Sequence, residues 1–146
     1  MDIRKLIRGI ELFEGLTDEE LDEIAAISQE KRFKKGELLA AEGETGEELF
    51  IIAEGAVEVE VRDKESAPKV VINLGAGQLI GEMSLVDKGP RSATVRAIHD
   101  PTIVQVICHE DFHNLCQRNT RIGYIVMHNI AADLSFKMRH RHLSNH

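Results

Sequence analysis

Between residues 49 and 62 the chain passes from an unbroken apolar run, Leu49-Phe50-Ile51-Ile52-Ala53, into strict alternation: Val57, Val59 and Val61 are interleaved with Glu58, Glu60 and Arg62. A period of two predicts a half-buried strand, and its acidic outer side reads as solvated surface. Similar short β-runs cover 37–41, 49–53, 56–62, 69–74, 78–80, 93–97 and 102–108. Gly36, Gly43, Gly46, Gly55, Gly75 and Gly77 stand at the breaks, where turns call for positive φ. Short runs punctuated in this way predict a β-sandwich or barrel. The polar stretch 63–68 reads as a mobile loop.

Both ends of the chain switch to helical spacing. Ile3, Leu6, Ile7 and Ile10 mark a helix within residues 2–13, followed by the apolar elbow Leu12-Phe13-Glu14-Gly15-Leu16. Thr17 and Glu20 have the spacing of a capping box and Leu16 and Leu21 that of a hydrophobic staple. They predict a helix over 18–28 that buries Leu21, Ile24, Ala25 and Ile27. Phe13 and Leu16 pin these helices to the domain. After Cys108 a short helix starts at His109-Glu110-Asp111-Phe112, and Asn119 or Thr120 caps a longer one that runs to about residue 140. Ile122, Ile125, Val126, Ile130, Leu134, Phe136 and Met138 give that helix an apolar stripe wide enough to need a partner.

A chain of 146 residues suits one domain with a real core. Its formal charge of −7 argues against general binding to nucleic acid or a membrane surface, so an anion would have to be caught locally. Cys108 and Cys116 read as reduced packing residues rather than a disulfide framework. With no apolar signal region and no apolar run of spanning length, a cytoplasmic location is expected. The sequence stops after the long helix, which leaves no room for a helix-turn-helix, and Lys137 to Arg141 is too small a basic patch to replace one. His99, His109, His113, His128, His140, His142 and His146 fall in turns, helices and the tail. That placement disfavours a cupin-like metal enzyme, whose ligands point inward from strands. Nor does any Ser-His-acid or Cys-His order place a nucleophile on an elbow. No catalysis, metal or cofactor is expected.

The candidate chemistry lies in residues 81–94, Gly-Glu-Met-Ser-Leu-Val-Asp-Lys-Gly-Pro-Arg-Ser-Ala-Thr. Gly81 lets a ligand approach the backbone, and residues 82–86 suit one helical turn whose free N–H groups point at an anion. Gly89 and Pro90 end the turn, and the planar fork of Arg91 suits phosphate oxygens. A carboxylate beside phosphate would repel it, so Glu82 is better placed to accept from sugar hydroxyls. The pattern is that of a site for a phosphorylated sugar.

Gly81-Glu82-Met83-Ser84-Leu85 and Pro90-Arg91-Ser92-Ala93-Thr94-Val95 resemble the phosphate-binding cassette of cyclic nucleotide-binding domains. Phe33-Lys34-Lys35-Gly36-Glu37 and the stretch 49–57 resemble that family's opening strands, so the likeness covers almost the whole chain. It implies an α+β fold: an eight-stranded antiparallel, jelly-roll-like β-roll flanked by N-terminal helices and a long C-terminal helix. The expected organisation is a single domain over 1–146, with helices in 1–30, the roll in 31–108 and helices in 109–146. By the same resemblance Glu82 accepts from the ribose 2′-hydroxyl and Arg91 pairs with the cyclic phosphate. The amides of Met83 and Ser84 complete the anion site, and Ser92 adds a hydroxyl. Val71, Leu74, Leu79, Met83, Leu85 and Val95 are candidate walls for the base. Ser92 after the arginine favours cyclic AMP over cyclic GMP. In the family the last helix dimerises and closes over the base, which puts Phe136, Lys137 and Met138 near the ligand. The resulting expectation is a non-catalytic sensor that signals through this helix to a second copy or an effector protein. The alternative is a dimerisation module of the same fold that no longer binds nucleotide.

Overall fold

The computed structural model describes residues 2–62 and 69–144, so the stretch 63–68, expected to be a mobile loop, lies outside the described residues. The chain opens with α1 (Ile3–Arg8), a 3-10 turn (Glu11–Phe13) and α2 (Asp18–Ala26). Strands β1 (Gln29–Phe33), β2 (Leu38–Ala40), β3 (Glu48–Glu54), β4 (Ala56–Arg62), β5 (Lys69–Gly75) and β6 (Leu79–Ile80) follow. A second 3-10 turn (Glu82–Leu85) precedes β7 (Thr94–Ala97) and β8 (Thr102–Cys108), and α3 (His109–Arg118) and α4 (Thr120–Ser144) complete the chain. The strands form two antiparallel four-stranded sheets, in the orders β1-β8-β3-β6 and β2-β7-β4-β5. This is the expected roll with helices at both ends.

The unbroken apolar run of β3 is explained by its position between two cores. Phe50 and Ile52 face the other sheet and pack with Val57, Val95, Val104 and Val106. Leu49 and Ile51 point outward, where with Ile107 they meet the helices through Ile7, Phe13, Ile24, Phe112 and Ile122. Burying each such side chain stabilises the fold by roughly 1.5–3 kcal/mol. β4 buries Val57 on its inner side, but its acidic side is not the solvated surface expected, since Glu60 is also buried, 3.8 Å from Arg96 Nη1. Pairing sets Val57 opposite Leu74 and Val59 opposite Ile72 and Val95.

Three expectations need correction. β1 falls partly within the span assigned to helices: its sequence Gln-Glu-Lys-Arg-Phe is exposed at every position but Phe33 and shows no apolar alternation. Only its backbone pairing with β8 makes it a strand. The N-terminal helix of 2–13 is broken, with Gly9 as the C-cap of α1 and a separate turn behind it. Finally, Gly46 and Gly75 do not have positive φ. Gly46 is required for another reason, described below.

α2 starts as predicted, with both halves of the Thr17–Glu20 capping box formed. The elbow behind it clamps the first half of α4. Asn129 Nδ2 donates to Leu12 O and Glu14 O, each at 2.9 Å, Arg121 pairs with Glu20, and Asn119 Nδ2 donates to Glu23 at 3.0 Å. The apolar stripe of α4 is accordingly split. Ile122, Val126 and Ile130 are buried, whereas Leu134, Phe136 and Met138 are exposed.

Burial alone would raise the Glu20 carboxyl, but hydrogen bonds from the Thr17 N–H and from Arg121 outweigh it and hold Glu20 below its ordinary value of 4.5. A depressed folded value means stability that is complete above the unfolded value and lost as pH falls through the folded one. Glu20→Gln is therefore expected to lower stability by about 1 kcal/mol near neutral pH. Thermal melts should show the two proteins converging as pH falls below the ordinary carboxylate value and through the depressed folded one.

Candidate functional site

The Glu82–Leu85 turn leaves the roll at Gly81, which adopts the left-handed conformation with φ 81° and ψ 33°. The turn is closed from within. Ser84 donates to Gly81 O through both its backbone N–H (3.0 Å) and its hydroxyl (2.6 Å), and the Val86 and Asp87 amides donate to Met83 O at 3.0 and 3.1 Å. Ser84 is buried, and its amide is spent inside the turn rather than free for an anion. The donors that remain at the mouth are the amides of Glu82 and Met83, as a helical N-terminus dictates.

Arg91 reaches the same point from the opposite side. Its backbone is held in a narrow ribbon, with Arg91 N donating to Glu44 O at 2.6 Å, Gly43 N to Arg91 O at 2.9 Å and Gly46 N to Gly89 O at 2.9 Å. Its guanidinium donates to Glu48 O at 2.8 Å and lies 5.4 Å above the centre of the Phe50 ring. Among the described residues no carboxylate lies within salt-bridge distance of it. Burial pushes the Arg91 pKa down and the charge of Glu48 pushes it back up, yet a guanidinium stays cationic throughout the useful pH range.

Two glycines make the slot for this side chain. A Cβ on Gly46 would lie 2.9 Å from Arg91 Cδ and Nε. One on Gly81 would overlap Arg91 Nη1 and approach Glu48 O to 3.0 Å. Sequence reasoning took Gly46 for a turn glycine, and nothing local marks it otherwise, because its neighbour in space is 45 positions away (Gly46 to Arg91). Gly46→Ala is expected to move the flexible arginine rather than unfold the ribbon. Phosphate-ligand affinity should fall roughly fivefold, about the value of one hydrogen bond, with little change in melting temperature.

Together these groups border a cavity of about 290 Å³. Gly81, Glu82, Met83, Ser84, Arg91 and Ser92 all line it, so the predicted residues do meet in space. Asp87 also lines it, with its carboxylate turned to accept from Gly89 N at 3.0 Å. The apolar wall is Val59, Ile72, Leu74, Leu79 and Val95. Val71 and Leu85 are not part of it: Val71 is on the other side of β5, and Leu85 is buried in the helical core. Val59 and Ile72 were missed, although strand alternation puts residue 72 on the same side as 74.

Glu82 is half-buried and also lines a second cavity of about 320 Å³ between the N-terminal elbow and α4, bordered by Ile130, Asp133 and Leu134. α4 therefore borders the cassette through Ile130, Asp133 and Leu134, about one turn before the expected Phe136 and Met138, while Lys137 lies close enough to Glu82 to feel its charge. Phe136 and Met138 are exposed. Lys137 donates to Asp133 Oδ2 at 2.8 Å, and that bond, with a smaller contribution from Glu82, raises its pKa.

Among the described residues no group of His, Cys, Asp or Glu side chains could hold a metal ion, and no helix is long and apolar enough to cross a membrane. Comparison with known proteins agrees with the geometry. The family described as "Cyclic nucleotide-binding domain" matches residues 30–119, and the chain belongs to it. It is a family of ligand-binding regulatory domains. The cyclic AMP receptor protein of Thermus thermophilus is 32% identical over 133 residues, which cover 91% of this chain and 59% of that protein. The cAMP-dependent protein kinase regulatory subunit of Mycosarcoma maydis is 37% identical over 93 residues, 64% of this chain and 18% of the relative. The N-terminal domain of a transcriptional regulator from Streptomyces coelicolor superposes with a TM-score of 0.83 at 27% identity, covering 92% of this chain and 93% of that one. The chain thus spans only part of the length of the curated relatives it matches.

Proposed function

We propose that residues 1–146 form one non-catalytic sensor unit that binds a cyclic nucleotide, with cyclic AMP preferred over cyclic GMP. The observation that carries this reading is the half-buried Arg91 guanidinium, which has no carboxylate partner among the described residues and opens on a cavity with one apolar wall. A half-buried cation with no carboxylate in contact, only the more distant charge of Glu48, is costly, and a bound phosphate supplies a contact charge in a fork geometry that suits it. In this reading the Glu82 and Met83 amides share the phosphate, Ser92 at the exposed rim adds a hydroxyl, and Glu82 accepts from the ribose 2′-hydroxyl. The base lies on Val59, Ile72 and Leu74. The cavity is close to the lower end of small-molecule sites, about 300 Å³, as suits a compact ligand.

The output is assigned to α4. Its clamped first half moves with the elbow, and its second half presents Leu134 and Met138, four residues apart on one face, to solvent, a surface suited to a second copy of the chain. A ligand shifts such a helix only through differential affinity for its positions, so contact near Glu82 and Met83 is required. Calorimetry of the full chain with cyclic AMP and cyclic GMP tests binding. One-to-one saturation by cyclic AMP, tighter than by cyclic GMP, is expected, and no heat with either would overturn the reading. Sedimentation with and without ligand tests pairing through α4.

A further inference from the structure

His109 has no role in the binding scheme above, yet it joins the helical half of the molecule to both sides of the phosphate cradle. It is the first residue of α3. Its Nδ1 lies 2.7 Å from Ser84 O, and its backbone N donates to Glu47 O at 2.8 Å. The next carbonyl along, Glu48 O, is the one that holds the Arg91 guanidinium. Ser84 O is a carbonyl and only accepts, so Nδ1 carries the proton. The imidazole is half-buried and stacks on His113, with ring centroids 6.2 Å apart and planes within 6°.

A 3-10 turn of this length has poor intrinsic stability, and its last carbonyls have no partner of their own. Ser84 O is one of them. The same residue's N–H and hydroxyl are bonded to Gly81 O, so a donor on Ser84 O fixes the tilt of the whole turn. That tilt aims the Glu82 and Met83 amides. We propose that His109 is a positioning residue of the cradle: its Nδ1–H bond to Ser84 O holds the turn in its anion-accepting orientation and makes that orientation depend on where α3 sits. The proposal rests on the cradle taking a cyclic phosphate, and α3, packed against α4, then has a direct hold on the ligand site.

The test compares His109→Leu, His109→Gln and His109→Asn in the full chain. Asn carries an amide N–H close to the position of Nδ1, Gln carries it one bond further out, and Leu carries none. Cyclic AMP affinity is expected to fall about fivefold in the Leu and Gln variants and to stay within about twofold of wild type in Asn. In the ligand-free proteins, hydrogen exchange of the amides of residues 84, 86 and 87 should quicken in Leu and Gln and return to wild type in Asn. Wild-type affinity and exchange in the Leu variant would overturn the proposal, as would an Asn variant no better than Leu, which would make the role one of packing. If the wild-type chain binds neither cyclic AMP nor cyclic GMP, the functional reading falls, and the exchange arm still decides whether His109 holds the turn.

Discussion

Arg91→Ala is expected to weaken cyclic AMP binding at least tenfold while leaving the roll folded. The side chain is half-buried, and a phosphate seated against it would be left without its countercharge, a loss on the order of 2–5 kcal/mol by analogy with buried charge pairs. The cost to the free protein is smaller. Glu48 O loses one donor and Phe50 loses the cation above its ring, while desolvation of the guanidinium is relieved. A fall in melting temperature of no more than about 5 °C is expected. Arg91→Lys should recover part of the affinity, because a point charge cannot reproduce the fork. Calorimetry on the three proteins, with thermal melts as the folding control, decides the matter. Unchanged affinity in the Ala variant would remove Arg91 from the site.

The second large effect is on the sugar side. Glu82 is half-buried at the cavity mouth with no hydrogen-bond partner among the described residues, so it is available as an acceptor. If it accepts from the ribose 2′-hydroxyl, 2′-deoxy cyclic AMP leaves it unpaired in the complex, a penalty of about 1–3 kcal/mol or roughly five- to a hundredfold in affinity. Glu82→Gln binds both ligands less differently, because the amide is a weaker acceptor than a carboxylate. The expected result is a clear ribose preference in wild type that narrows in the variant. Equal binding of the two ligands to wild type would assign Glu82 to the second cavity and α4 instead of to the sugar.

The cassette was legible because its chemistry is local. Gly81 to Ser84 and Pro90 to Ser92, which line one cavity, lie in two short consecutive strings, and a turn followed by an anchored arginine needs few long-range contacts to be recognised. The capping box at Thr17 and Glu20 was legible for the same reason, since both partners lie within one helical turn. Ser84 shows where this stops. Its place in the string suggested a donor to phosphate, whereas the turn consumes both its amide and its hydroxyl on Gly81 O.

The sequence by itself determined the alternation of β4, the unbroken apolar run of β3, the helices at both ends and the position of the cassette between two strands. These follow from periodicity and from residue types whose preferences act over a few neighbours. Tertiary structure alone decided the rest. β1 is a strand only because the edge of β8 offers it hydrogen bonds, and Gly46 must be glycine only because Arg91 crosses it. The split of the α4 stripe into a buried and an exposed half follows from the Asn129 clamp on the carbonyls of Leu12 and Glu14. In each case the deciding partner is far away in the chain, and the pattern of one segment carries no record of which backbone or side chain folding brings against it.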